Sequence, residues 1–284
     1  MPNMKSILYA TDYSENSVAA LHLAHTLATS LDAMFIVMHI FDMPLSLSSP
    51  VTLSYLKKEE RLLVEHREKL ADFCALHLGR HWQDDQTKLV VQEHNSVKDG
   101  ILEKLVEYQI DMLVLGTKGA SAMKELFLGS TTEALISSAP CAVLSVPENF
   151  RTDSLKTLVY ATDFEQADLF AIDRLVKIAK AFDAKVKVFH VTTKKEYAGD
   201  QQMEWFKDLL LQKVAYDQLE FVLRYSEKVL DTLQGYLIET KADVLAMLER
   251  EDRGIYRKLF HQDIVVRMES KIDIPLISFN VAGL

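Results

Sequence analysis

The chain has 284 residues, which at the usual ~150 residues per domain suggests two domains. A composition of 49% hydrophobic and 26% charged residues is that of an ordinary globular protein able to bury two cores. The net charge of −9, with no basic cluster, argues against nucleic acid or an anionic membrane surface as partner.

Met1 to Ala10 passes straight into a strand pattern, with no basic segment followed by an apolar one, so no secretory leader is expected. Ser6–Ala10 is a short apolar run suited to a buried parallel strand. Asp12 or Ser14 then caps a helix reaching about Leu31, with Val18, Leu21, Leu23, Ala24, Leu27 and Ala28 on its apolar side. Met34–Ile40 is a second strand, and Asp42–Leu53 is a loop rich in proline and serine. A long helix with a charged face follows from about Ser54 to Leu78. Leu89–Gln92 is a third strand, Ser96–Tyr108 a helix and Met112–Leu115 a fourth strand. Ser130–Ser138 is a last helix and Ala142–Val146 a fifth strand. The two cysteines, Cys74 and Cys141, are far apart and in no metal-ligand spacing, so neither a disulfide framework nor a zinc site is expected, and Cys141 reads as core. No apolar run reaches the ~18 residues a membrane-spanning helix needs, and the expected compartment is cytoplasmic.

The pattern then repeats. Residues 6–41 and 157–192 align without a gap: Ser6-Ile-Leu-Tyr-Ala-Thr-Asp12 answers Thr157-Leu-Val-Tyr-Ala-Thr-Asp163, Tyr13 answers Phe164, Asp32-Ala33 answers Asp183-Ala184, and His39 answers His190. The seam lies in the polar stretch Pro147–Lys156, which sets the expected domains at 1–149 and 155–284. Leu158–Ala161, Val186–His190, Leu219–Leu223, Val244–Met247 and Leu276–Phe279 are the strands of the second copy. Alternating strands and helices imply βαβ units with right-handed crossovers, so the expected fold is α/β: two tandem, doubly wound, parallel five-stranded sheets of flavodoxin or Rossmann type. His39 and His190 read as satisfied structural residues, and Trp205–Phe206 as helix packing.

Three of the nine glycines fall between Gly116 and Gly129, directly after the fourth strand. Glycine permits positive φ and close approach of a ligand. Gly116-x-x-Gly119 can turn backbone N–H groups toward an anion, and Gly129-Ser130-Thr131 opens a helix whose N-terminus suits phosphate. Ser130 and Thr131 add hydroxyl donors or Mg²⁺ ligands, and Lys118 and Lys124 can neutralise charge. Equally, Ser130-Thr-Thr-Glu133 is an ordinary capping box, and a glycine after a strand can be a tight turn. On residue chemistry alone the two readings stand level. The segment is neither a Walker A loop nor a dinucleotide fingerprint.

Gly116-x₂-Gly119-x₉-Gly129-Ser130 resembles the glycine motif of the ATP-binding universal stress proteins. The flanks agree: Asp111–Gly116 is similar to that family's fourth strand, Lys124–Ser130 to its helix entry, Ala139–Pro147 to its last strand and Ile7–Asp12 to its first. The resemblance extends over nearly the whole chain as a tandem pair of adenine-nucleotide-hydrolase-like folds. It implies that Asp12 hydrogen-bonds the nucleoside end of ATP, that Ile40 lies against the adenine, that Leu115 and Gly116 pass under the ribose and phosphates, and that Gly119, Gly129, Ser130 and Thr131 hold the phosphates, with Mg²⁺. It also implies pairing of the two halves through their last strands as an intramolecular pseudo-dimer, with a homodimer of whole chains as a further assembly it allows.

In the second half Asp243–Leu248 takes the place of Asp111–Gly116, so Leu248 stands where the first motif glycine was. The acidic run Glu249–Arg253 follows, and the helix entry Lys258–Asp263 has no Gly-Ser. That half is expected not to bind ATP in this way. The expected function is a nucleotide-responsive stress-response module that does not turn ATP over, or does so very slowly. The alternatives are a slow Mg²⁺-dependent ATPase or phosphotransferase, and an interaction scaffold built on the degenerate half. No catalytic triad pattern is apparent, no paired carboxylates fall near the glycine loop, and the first loop has no Ser-Gly-Gly.

Overall fold

The computed structural model describes residues 4–43, 53–79, 82–117, 130–152, 154–193, 199–249 and 272–280. The first half runs β1 (Ser6–Ala10), a 3₁₀ turn (Glu15–Ser17), α1 (Val18–Leu31), β2 (Met34–Phe41), α2 (Leu53–Leu78), β3 (Thr87–Glu93), α3 (Val97–Glu107), β4 (Met112–Thr117), α4 (Ser130–Ser138) and β5 (Ala142–Pro147). The second half runs β6 (Thr157–Ala161), α5 (Gln166–Phe182), β7 (Lys185–Thr192), α6 (Gly199–Lys213), β8 (Leu219–Tyr225), α7 (Val229–Thr240), β9 (Val244–Glu249) and β10 (Leu276–Asn280).

The strand order is β3-β2-β1-β4-β5 in the first half, and the second half repeats it as β8-β7-β6-β9-β10. Within each half every pairing is parallel. The two expected sheets are joined: β5 and β10 pair antiparallel, Val143 opposite Ser278 and Ser145 opposite Leu276, giving one ten-stranded sheet. Pairing the last strands removes two open edges that would otherwise invite aggregation. The outer strand β3 begins at Thr87 and ends at Glu93, beyond the expected Leu89–Gln92, because an edge strand continues its ladder through polar residues that carry no apolar signal.

Alternation along the strands sorts side chains into two layers. Ile7, Tyr9, Val37, Met112 and Val114 face α1 and α2, while Leu8, Ile36, Met38, Leu113 and Leu115 face the layer holding Ile101, Leu105 and Leu135 of α3 and α4. The repeated Asp-Ala pairs end helices. Asp32 (φ 52°) and Asp183 (φ 51°) are left-handed caps of α1 and α5. Ala33 and Ala184 then donate back to Ala28 and Ala179, both at 2.9 Å. Asp111 and Asp243 do a second repeated job. Asp111 accepts from the Lys5 and Ser6 amides at 2.7 and 3.2 Å, and Asp243 from the Lys156 and Thr157 amides at 2.6 and 2.8 Å, so each fastens the start of the first strand of its half.

Both cysteines are buried and free. Among the described residues no helix is long and apolar enough to cross a membrane, and no cluster of three potential metal ligands occurs. Phe206 is fully buried as expected, but Trp205 is 60% exposed: adjacent helix positions point about 100° apart, so only one of the pair faces the core.

Candidate functional site

The chain crosses from the β2–β3 side of β1 to the β4–β5 side, so β1 and β4 meet at a switch point where open α/β sheets hold ligands at their C-terminal strand ends. Ala10 is in register with Met38 on β2 and with Leu115 on β4. Asp12, two residues past β1, and Ile40 and Gly116, each the last residue but one of β2 and β4, therefore lie at the C-terminal ends of three adjacent strands. Gly119 and Gly129, with Lys118 and Lys124, lie outside the described residues. Ser130 is the first described residue of α4, and Thr131, half-buried, follows it.

Ile40 and Leu115 belong to the α3/α4-facing core, and Ile40 is only 9% exposed. A Cβ on Gly100 of α3 would lie 2.7 Å from Ile40 Cδ1, so that glycine makes room for Ile40. Gly116 has a structural reason of its own. A Cβ there would stand 2.5 Å from the Asn16 carbonyl oxygen and 2.7 Å from Ser17 Cα, and its φ is not left-handed. Close packing of β4 on the 3₁₀ turn, not positive φ, is what requires glycine here. In the second half Leu248 is packed, partly buried, against the core instead.

The turn after β1 carries positive φ at an unexpected residue, Tyr13 (φ 65°), and its counterpart Phe164 (φ 62°) does the same. Such a backbone is unfavourable for an aromatic residue and persists only when its surroundings hold it. Here the Tyr13 amide donates to Thr11 Oγ1 at 2.9 Å, and the ring lies on His39 with centroids 4.2 Å apart. His39 Nδ1–H donates to the Thr11 carbonyl at 2.8 Å, and His190 Nδ1–H to the Thr162 carbonyl at 2.6 Å. The recurring histidines are thus clamps on the first turn of each half. Asp12 is exposed, and its Oδ1 accepts from the Ser14 amide at 2.9 Å. It closes an Asx turn and caps no helix; the first helix begins later, after the 3₁₀ turn, with Ser17 as its N-cap.

The residues under the turn were not singled out from the sequence. Tyr9 donates its hydroxyl to the Ser17 carbonyl at 2.8 Å, and Thr11 Oγ1 bonds Ser17 Oγ at 2.9 Å. In the second half Asp168 replaces Ser17. Its carboxylate, buried, receives Tyr160 Oη (2.7 Å), Thr162 Oγ1 (2.7 Å) and the amides of Asp163 (3.2 Å) and Glu165 (2.9 Å). Burial raises its pKa while the Tyr160 and Thr162 hydrogen bonds oppose the rise. Glu165 and Asp168 also form a reciprocal capping box on α5. The only sequence signal for this network is the repeated Tyr-Ala-Thr-Asp run itself.

The family model described as "Universal stress protein family" matches residues 3–147. A universal stress protein of Thermus aquaticus is 30% identical over 143 residues, which is 50% of this chain and 98% of that protein. A putative universal stress protein of Staphylococcus haemolyticus is 30% identical over 159 residues, 54% of this chain and 93% of its own. The crystal structure of a universal stress protein from Archaeoglobus fulgidus superposes with a TM-score of 0.68 at 16% identity, covering 98% of this chain and 99% of its own, a likeness of fold. Since the family match takes in half of its length, the chain belongs to the universal stress protein family.

Proposed function

We propose that this is a nucleotide-responsive stress protein that holds one adenine nucleotide, ATP with Mg²⁺, in its first half and none in its second. The observation that carries the reading is the convergence of Asp12, Ile40 and Gly116 at the switch point, in a chain whose sequence continues with the Gly116-x₂-Gly119-x₉-Gly129-Ser130 spacing up to the start of α4. In it Asp12 and Ile40 take the nucleoside end, Leu115 and Gly116 underlie the ribose and phosphates, and Gly119, Gly129, Ser130 and Thr131 take the phosphates. Support for a silent second half comes from Leu248 in the glycine position and from Asp168, whose carboxylate already occupies the turn amides of Asp163 and Glu165.

We further propose that the units are 1–149 and 155–284, that the β5–β10 joint does within one chain what a dimer interface does between two, and that the compartment is cytoplasmic. The role is occupancy and not turnover. ADP accumulating over the pure protein would move the reading to a slow Mg²⁺-dependent ATPase. The deciding experiment is mass spectrometry of small molecules released from purified protein. About one ATP per chain is expected, lost in Gly119→Glu and in Gly129→Glu. Two per chain would sink the asymmetry, and none after soaking in MgATP would sink the site.

A further inference from the structure

The first half contains a column of rings that the described residues of its duplicate do not repeat. His66, on α2, stacks on Phe41 of β2 (centroids 4.4 Å, planes 12° apart) and on His39 (5.2 Å, 24°). His39 in turn meets Tyr13, whose hydroxyl donates to the His66 carbonyl at 3.3 Å and whose ring packs edge-on against Phe73 of α2 at 5.6 Å. Through these rings α2 is fastened to the strained Thr11–Ser14 turn. The second half repeats the Phe164–His190 contact at 4.2 Å and the contact of Phe164 with Phe206 of α6 at 5.5 Å. Phe206 thus answers Phe73, and the residue seven earlier is His66 in one half and Gly199 in the other. Phe41 likewise becomes Thr192, and a Cβ on Gly199 would run into the Thr192 hydroxyl. At the position equivalent to His66 the second half has no imidazole.

We infer that the His39–His66 stack is a proton-operated latch: on acidification, charge on the paired imidazoles loosens α2 from the Thr11–Ser14 turn. Two stacked rings tolerate one charge and resist two. The surrounding groups are Lys69 and Glu65 on α2, Asp12 on the turn, and Glu93 of β3, which is in register with Phe41 on the same sheet face. Lys69 Nζ sits 4.2 Å from the Tyr13 ring centroid and adds a positive charge beside the pair. The Tyr9 and Tyr13 phenols and the Cys74 thiol stay neutral, because burial pushes each upward, Cys74 to about 12.

Burial is the main cause holding His39 below its ordinary value, helped by His66 and Lys69 and opposed by the Thr11 hydrogen bond and Asp12. Burial also leads for His66, with Lys69 lowering and Glu65 raising. For a base whose pKa is lowered on folding, the unfolded chain binds more protons in the window between the two values. The stack's contribution is therefore complete above the ordinary ~6.5 and is lost as pH falls from there through the folded values.

The test uses the whole, nucleotide-free protein, so it stands or falls separately from the proposed nucleotide site. Imidazole NMR titration and amide exchange over Thr11–Ser17 and Val64–Phe73 are compared at pH 7.5 and 5.5, in wild type and in His66→Phe, which keeps a ring in the stack. Read-out is confined to those segments because the raised Asp168 titrates in the other half. Both imidazoles are expected to titrate below ~6.5 in wild type. Protection factors in both segments, with the slower intrinsic exchange at low pH divided out, fall on acidification in wild type but not in His66→Phe, where the His39 midpoint moves upward. The same acid-induced loss of protection in the variant, or two imidazoles titrating at or above ~6.5, would overturn the latch.

Discussion

The Cβ position of Gly116 lies 2.5 Å from the carbonyl oxygen of Asn16, so β4 and the 3₁₀ turn meet through the space a side chain would fill. The obstruction is backbone, which cannot swing aside as a side-chain tip can. Gly116→Ala should therefore destabilise the protein by about 1–3 kcal/mol, the usual cost of overpacking, in urea unfolding with an unchanged m-value. A loss below about 0.5 kcal/mol, the scale of an ordinary surface change, would mean that the turn yields. Since this variant mixes folding with binding, its nucleotide stoichiometry is to be read only alongside its unfolding curve.

Tyr9 and Tyr160 hold equivalent places but donate to different acceptors, a carbonyl at Ser17 and a carboxylate at Asp168. Hydrogen bonds to neutral groups contribute about 0.5–1.5 kcal/mol and those to charged groups about 1.5–3. Tyr160→Phe should thus cost about 1 kcal/mol more than Tyr9→Phe at neutral pH. Equal losses in matched denaturation curves would show that the Asp168 carboxylate takes no more from its tyrosine than a carbonyl does.

Lys241 ends α7 at φ 49°, exposed, with its amide donating back to Ile238 at 3.2 Å. A lysine there bears the strain of the left-handed region without packing in return. Lys241→Gly should stabilise the chain by up to about 1 kcal/mol, seen as a higher melting temperature. A lower one would count against the cap geometry.

Leu248→Gly would restore the first motif glycine in the second half, yet nucleotide stoichiometry should stay at one per chain. The reason is Asp168: its Oδ2 already takes the Asp163 and Glu165 amides, and a second anion would meet like charge. Equilibrium dialysis with MgATP checks this. A second bound equivalent in Leu248→Gly would show that the glycine alone had been missing.

The order of strands and helices and the duplication could be read along the chain, because apolar runs, a 3.6-residue period and a gapless repeat are local properties of the residues. So could the identity of the candidate phosphate segment, from the spacing of three glycines. The tertiary structure alone decided the rest. Pairing through the last strands is implied by the family resemblance, but its antiparallel register, Val143–Ser145 against Leu276–Ser278, depends on how two faces meet. Gly116 owes its place to a turn about a hundred residues earlier in the chain, and Asp12, expected as a cap, closes an Asx turn because α1 starts after the 3₁₀ turn. The stack that brings His66 onto His39 has no signature in either residue's neighbours, since packing between a helix and a strand joins positions that sequence spacing leaves unrelated.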